Sequence, residues 1–221
     1  MITFVLASAS PSRRRILEQA GVDPVVRPSR VDEDALQAGL PAGTPHVRVV
    51  QELARAEAAD VLEREGSALA AEARAAGSDT LIVVGCDSML LVDGQLEGKP
   101  HTYERAMERW RRMRGRHGVL ITGHAMVVAD LTGGDDDVVV TYSGAETSDT
   151  TVHFGAPSDE DLDVYLRTGE PLECAGAFTI ESLGGWFIDR IDGDPSSVIG
   201  LSLPLLRRLL HEAGLHAHNL W

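Results

Sequence analysis

The sequence predicts an α/β fold, a mixed twisted sheet flanked by helices, in one domain spanning residues 1–221. Three observations carry that expectation. Short apolar runs at 2–7 and 81–92 have the length of buried strands, and the first is followed at once by a helix start signal. The stretches 44–65 and 102–114 repeat apolar residues at the helical period. Turn pairs such as Asp93-Gly94 and Gly184-Gly185 fall in the second part of the chain, where they favour antiparallel strands.

Taken in order, residues 2–7 form the first strand. Ser10 as N-cap, Pro11 at the first helical position and Gly21 as the stop define a helix to about residue 20. Residues 27–34 are expected as a strand and loop. Thr44-Pro45 opens a long helix to about residue 65, with Val50, Leu53, Ala54, Ala58 and Val61 facing the core. The Ala-, Glu- and Gly-rich stretch 65–78 is either its extension or a loop. The strand at 81–92 is interrupted in character by Gly85-Cys86-Asp87-Ser88, and Asp93-Gly94 closes it as a hairpin. A helix at 102–114 and a strand at 119–129 follow. A turn at 133–137 leads to a strand at 138–142, and a separate strand is expected at 150–154. Ser158 to Asp161 has the pattern of a capping box, opening a helix to about residue 167. Two short strands around Phe178 and 186–188, with Trp186 and Phe187 in the core, precede a closing helix at 203–213.

Composition narrows the function. With 20 Lys+Arg against 34 Asp+Glu the net charge is −14, which repels nucleic acid and anionic lipid. No run of about 18 apolar residues occurs, and no basic residues precede the first strand, so neither a membrane span nor a signal peptide is expected. These features predict a cytoplasmic protein. Cys86 and Cys174 lack CxxC spacing and read as reduced thiols, although a disulfide between them stays open. An acidic protein that binds phosphates needs a local basic cluster, a divalent cation, or both.

Such a cluster is present in Ser8-Ala9-Ser10-Pro11-Ser12-Arg13-Arg14-Arg15. It lies where a strand ends and a helix begins, where free N–H groups and the helix dipole favour anions. Guanidinium forks match phosphate oxygens and stay charged. Cations at a helix N-terminus oppose the dipole, so a phosphate cradle explains them better than a solvated first turn. Asp87 interrupts a strongly apolar strand, and such a carboxylate must be paired, protonated or bound to a cation. A structural, hydrogen-bonded Asp beside Gly85 is the alternative. Lys99 stands on the Gly98-Lys99-Pro100 turn, and Val31-Asp32-Glu33-Asp34 reads as a solvated loop that could offer oxygen ligands to Mg²⁺. His216-Ala217-His218 reads as a frayed tail and His124 as a satisfied buried histidine.

Together these segments resemble the Maf family of nucleotide pyrophosphatases. Leu6-Ala7-Ser8-Ala9-Ser10-Pro11-Ser12-Arg13 resembles its opening motif, Val31-Asp32-Glu33 its acidic motif and Gly85-Cys86-Asp87-Ser88 its central motif. Gly98-Lys99-Pro100, Gly169-Glu170-Pro171, Cys174-Ala175-Gly176, Gly193-Asp194-Pro195-Ser196 and Val198-Ile199-Gly200-Leu201 follow in the family's order. The resemblance implies a two-lobed fold, as in inosine triphosphatases, with the active cleft between the lobes, often in a homodimer. It implies hydrolysis of nucleoside triphosphates, modified ones included, to monophosphate and pyrophosphate with Mg²⁺ or Mn²⁺. It makes Asp87 the catalytic proton acceptor, gives Ser8, Ser10, Arg13 and Lys99 to phosphate binding, and assigns Glu33 and Asp87 to the metal.

Two departures qualify the match. Leu53-Ala54-Arg55-Ala56-Glu57-Ala58 has glutamate where the family usually has lysine. Glu57 could add a metal ligand, weaken phosphate binding, or pair with an arginine of the first helix, the reading favoured here. The family's base-specificity positions fall at Ser12, Ser88 and Glu181. They match neither the Arg, Thr and Gln of dTTP- and UTP-directed members nor the Trp, Gln and Glu of the 7-methyl-GTP type. The base therefore stays open, and a nucleotide-binding regulator of cell division with little turnover is the alternative function.

Overall fold

The computed structural model describes residues 1–133 and 138–221, so most of the turn expected at 133–137 lies outside the described residues. The apolar start of the chain becomes part of a parallel sheet segment. β1 (Ile2–Leu6) pairs in parallel with β2 (Val25–Val26) and with the first part of β3 (Thr80–Val92). Parallel strands are covered on both faces and need near-continuous apolar sequence, which Phe4 to Leu6 and Leu81 to Val84 supply as buried residues. Asp93 and Gly94, with φ of 51° and 76°, turn β3 back antiparallel to β4 (Gln95–Glu97), as the Asp-Gly pair predicts. The sheet order is β2-β1-β3-β5-β6-β7, with β5 (His117–Asp130), β6 (Val139–Phe154) and β7 (Ile188–Asp192); β7 is antiparallel to β6. The expected mixed α/β class is therefore found.

The helices among the described residues are α1 (Pro11–Gln19), α2 (Glu33–Gly39), α3 (His46–Ala75), α4 (Tyr103–Met113), α5 (Asp159–Arg167), α6 (Pro195–Ile199) and α7 (Leu203–Glu212). Ser10, Thr102 and Ser158 cap α1, α4 and α5, each accepting from a backbone N–H three residues on, and the capping box at Ser158 and Asp161 is complete.

The chain divides into two compact units: Met1–Asp87, Gly123–Thr147 and Leu203–Trp221 form the first, Ser88–Thr122 and Ser148–Ser202 the second. In the first unit, Val5, Ala54, Ala58, Val61, Leu81, Val83 and Ala125 share one core. Alanines on the inner face of α3 let its backbone approach the strands closely. A Cβ at Gly85 would lie 2.2 Å from the Ala54 carbonyl oxygen, and one at Gly123 would lie 2.5 Å from that of Val50. The core of the second unit is built around Trp110, fully buried on α4. Its ring meets Phe154 and Phe187 edge to face at 5.6 and 5.9 Å, and its Nε1–H donates to the Ala177 carbonyl at 2.7 Å.

Several expectations are corrected. The acidic run 32–34 is a capped helix start, because Asp32 accepts the Ala35 N–H and begins α2. The stretch after residue 65 continues α3 through Ala75, its buried Leu69, Ala70 and Ala73 keeping the apolar stripe. β3 runs unbroken through Gly85 to Ser88. The strands expected at 138–142 and 150–154 are one 16-residue strand, the polar stretch between them remaining extended. Phe178 lies outside any strand, and residues Leu183–Phe187 form a 3-10 turn. That turn leaves Trp186 86% exposed, so it is not a core residue, whereas Phe187 packs on Trp110 as expected. α6 was not foreseen. His124 is buried as expected, and the tail at Ala217–Leu220 is a short 3-10 turn in which His216 and His218 stack at 5.3 Å. Both cysteines are free thiols.

Two alanine substitutions test this packing in opposite directions. Gly85→Ala forces apart α3 and β3 and should lower stability by about 1–3 kcal/mol or more. Gly66→Ala, in the interior of α3 with nothing near the added methyl, should raise it by roughly 0.5–1 kcal/mol. Urea denaturation midpoints measure both.

Candidate active site

In the first unit, the turn from β1 into α1 gathers the expected hydroxyls and one of the three arginines. Ser8 is buried, and its Oγ accepts from the Ser10 N–H at 3.3 Å and from Arg13 Nη1 at 2.9 Å. Ser10 Oγ accepts the Arg13 N–H at 3.4 Å as N-cap. Arg13 also donates to the carbonyl of Cys86, the residue before Asp87. Arg14 and Arg15 remain exposed, and Arg14 pairs with Glu18 at 2.7 Å, so of the three only Arg13 links the turn after β1 to the middle of β3. Ser12, one turn position earlier, is half-buried.

Asp87 is 7% exposed and Glu57 5% exposed. Burial pushes the Glu57 carboxyl well above the ordinary glutamate range; the Arg13 guanidinium pulls it back, and Asp87 and Glu33 push it further up. Arg13, Asp87 and Glu33 thus each act on the buried Glu57 carboxyl. Arg13, the α1 arginine, acts on Glu57 through its charge, and it is the Cys86 N–H that the Glu57 Oε2 accepts, at 2.8 Å. The Cys86 thiol, fully buried, is pushed up to about 12 by desolvation, which makes it inert as a nucleophile at neutral pH.

The remaining expected residues belong to the second unit. Ser88 is half-buried, its Oγ 3.0 Å from Thr122 Oγ1, which in turn donates to the Ser197 carbonyl at 3.0 Å. Lys99 is exposed on its turn. The carbonyl before it, on Gly98, accepts from Arg109 Nη1 at 2.5 Å and from the Gly176 N–H at 3.2 Å. Arg109 is 6% exposed and is held by Glu97 at 2.7 Å. Glu181 is exposed; with Lys99 it acts on the Cys174 thiol, which burial, Glu181 and its acidic neighbours push up to about 11 while Lys99 pulls down.

Sequence reasoning missed the supports beneath these residues. Arg109 had no signal, because it stands in a helix with several other arginines. Glu170 had only its place in a motif. Its carboxylate accepts from Thr179 Oγ1 at 2.5 Å, Ser182 Oγ at 2.8 Å, and the N–H groups of Leu183 and Gly184 at 3.3 and 3.2 Å. It thereby ties down the segment that carries Glu181.

A helix N-terminus with two hydroxyls and a guanidinium, beside buried carboxylates, has the chemistry to bind an anion and to manage a proton. Carboxylate oxygens are the hard donors that Mg²⁺ and Mn²⁺ take. Asp87 and Glu33 each disfavour ionisation of the buried Glu57 carboxyl. Among the described residues no three His, Cys, Asp or Glu side chains form a ready-made cage, and Mg²⁺ characteristically takes one or two carboxylates and completes its shell with substrate phosphates and water. Asp87 and Glu33 are oxygen donors of the type such an ion takes.

These features define an α/β protein whose first strand-to-helix turn carries two hydroxyls and a guanidinium beside a buried carboxylate. A family model described as Maf-like protein matches residues 3–213. The chain is 56% identical over 99% of its length to a protein named nucleoside triphosphate pyrophosphatase from Nocardia farcinica, covering 96% of that protein. It is 54% identical over its full length to one of the same name from Rhodococcus opacus, and 51% identical to one from Mycobacterium ulcerans, covering 97% of each. The chain belongs to the Maf family.

The Glu170 network gives a pH test. Burial opposes ionisation, but the four donors outweigh it and hold the Glu170 carboxyl below the ordinary glutamate value. Its contribution to stability is therefore complete above the unfolded-state pKa of about 4.3, and it is lost as pH falls through the lower folded value. Glu170→Gln should lower the urea midpoint at pH 7 and narrow the gap between the midpoints at pH 7 and pH 4.

Proposed function

We propose that this chain hydrolyses nucleoside triphosphates between the α and β phosphates, releasing a nucleoside monophosphate and pyrophosphate. The observation that carries the reading is the Arg13–Cys86–Asp87 arrangement, in which a phosphate-matching guanidinium is anchored one residue from a buried carboxylate. The names of relatives aligned over nearly the whole chain support it. The α-phosphorus is shielded by anionic oxygens, so water attacks only when those charges are offset and the water is aligned. In this proposal the N–H groups at the start of α1, Ser8, Ser10 and Arg13 hold phosphate oxygens, and Lys99 offsets charge developing on the pyrophosphate. Asp87 aligns the attacking water and accepts its proton. Glu33 and Asp87 would hold Mg²⁺ or Mn²⁺, which when bound neutralises phosphate charge and acidifies water. Ser12, Ser88 and Glu181 would read the base.

The chain is further proposed to work in the cytoplasm, as a homodimer, without nucleic-acid or membrane partners. The net charge of −14 speaks against nucleic-acid and anionic-lipid partners, and no described helix is long and apolar enough to cross a membrane.

A panel of nucleoside triphosphates, modified bases included, assayed with Mg²⁺ or Mn²⁺ for pyrophosphate against orthophosphate, tests the reading. Pyrophosphate should be the product, and Asp87→Asn should lower kcat by roughly 10²–10⁴-fold. Lys99→Ala should also lower kcat, because its charge is assigned to the leaving group. Nucleotide binding without turnover would point to the regulatory alternative, and orthophosphate release to a phosphatase.

A further inference from the structure

The parallel ladder between β1 and β3 ends just before the residues that matter. Its last paired residues are Leu6 and Val84, and the Ala7 N–H still donates to the Val84 carbonyl at 2.8 Å. Backbone groups two residues apart on a strand face the same side, so the Cys86 N–H and carbonyl also point towards the β1 side. In a continued parallel ladder the neighbouring strand would supply their partners. The chain instead turns away at Ser8 to start α1. Two side chains take up the vacated positions: Glu57 Oε2 accepts the Cys86 N–H at 2.8 Å, and Arg13 Nη1 donates to the Cys86 carbonyl. Both act from firm supports. Glu57 projects from α3 one turn after Ala54, whose carbonyl presses against Gly85, and Arg13 is braced by Ser8 Oγ at 2.9 Å.

We infer that Glu57 is a positioning residue for Asp87: with Arg13 it replaces the missing strand partner of Cys86, and so fixes the backbone that presents the carboxylate. The role requires a hydrogen-bond acceptor at this place, which the glutamate side chain supplies. Glu57 touches no substrate in this reading and need not bind metal. The inference rests on Asp87 being the reacting carboxylate. It also ties phosphate binding to carboxylate placement, because the same guanidinium anchors Cys86.

The test separates acceptor from charge. Glu57→Gln keeps an acceptor without the charge, Glu57→Asp keeps the charge but withdraws the acceptor by one methylene, and Glu57→Leu removes both. Turnover is measured with the best nucleoside triphosphate and divalent ion. Separately, in a Cys174→Ala background without nucleotide or metal, the labelling rate of the Cys86 thiol by a neutral disulfide reagent reports opening of the segment. Cys86 is fully buried, so labelling requires that opening. Glu57→Gln should stay close to the parent in both measurements. Glu57→Asp and Glu57→Leu should lose on the order of 10²-fold in kcat with a much smaller change in KM. Their labelling should accelerate about tenfold or more, as expected when a buried N–H loses its partner. Urea midpoints identify any variant that is globally unfolded, and Glu57→Asp decides the matter if Glu57→Leu does not fold.

A Glu57→Asp protein with parental kcat and labelling overturns the inference. So does a Glu57→Gln protein as impaired as Glu57→Asp, which would make charge the operative property. If Asp87→Asn retains pyrophosphate release, the functional reading itself fails, whatever the labelling shows.

Discussion

The close approach of α3 to β3 is the constraint on which the first unit depends. Gly85 admits the Ala54 carbonyl where any side chain would stand, and Ala54 and Ala58 keep that face of the helix small. The approach brings Glu57 within reach of the Cys86 backbone and leaves it almost fully buried. The ladder with β1 stops at Val84, so on that edge of β3 the Cys86 backbone before Asp87 is held by side chains and not by a strand. Side-chain hydrogen bonds can be tuned one residue at a time, whereas a ladder bond is common to every sequence that forms the sheet.

The same logic recurs in the second unit. Arg109, buried and neutralised by Glu97, grips the Gly98 carbonyl beneath Lys99. Glu170 collects four donors from the segment that carries Glu181. In each case an exposed residue is presented by a charged side chain, Arg109 buried and Glu170 half-buried, that holds the backbone around it. For a chain of net charge −14, local cations near phosphate must be placed individually. A buried ion pair such as Arg109–Glu97 adds little net stability but is costly to break, which favours its use as a rigid support.

Most of the fold was legible because periodicity and caps are local signals. Ser10-Pro11, Asp93-Gly94 and the Ser158–Asp161 box each specify their turn or helix start from adjacent residues. The errors arose where tertiary context decides. The polar middle of β6 stays extended, although its composition resembles a loop. Asp32 capping α2 was hidden by the acidity of its neighbours. Trp186, apolar and flanked by Phe187, points outward because a 3-10 turn replaces the expected strand. The expected site residues rest on motif order and resemblance, whereas the role of the side chains that support them left no signal in the sequence. Glu57 was visible as a departure, and its partner, a backbone N–H 29 residues away, leaves no trace in sequence.

The central claim is that water attacks the α-phosphorus of a nucleoside triphosphate. A single-turnover reaction in ¹⁸O-enriched water, with products resolved by mass spectrometry, tests it most directly. The expected result is one ¹⁸O atom in the nucleoside monophosphate and none in the pyrophosphate. Label in pyrophosphate, or release of orthophosphate with a nucleoside diphosphate, would place the attack at another phosphorus and contradict the roles given to Asp87, Arg13 and Lys99.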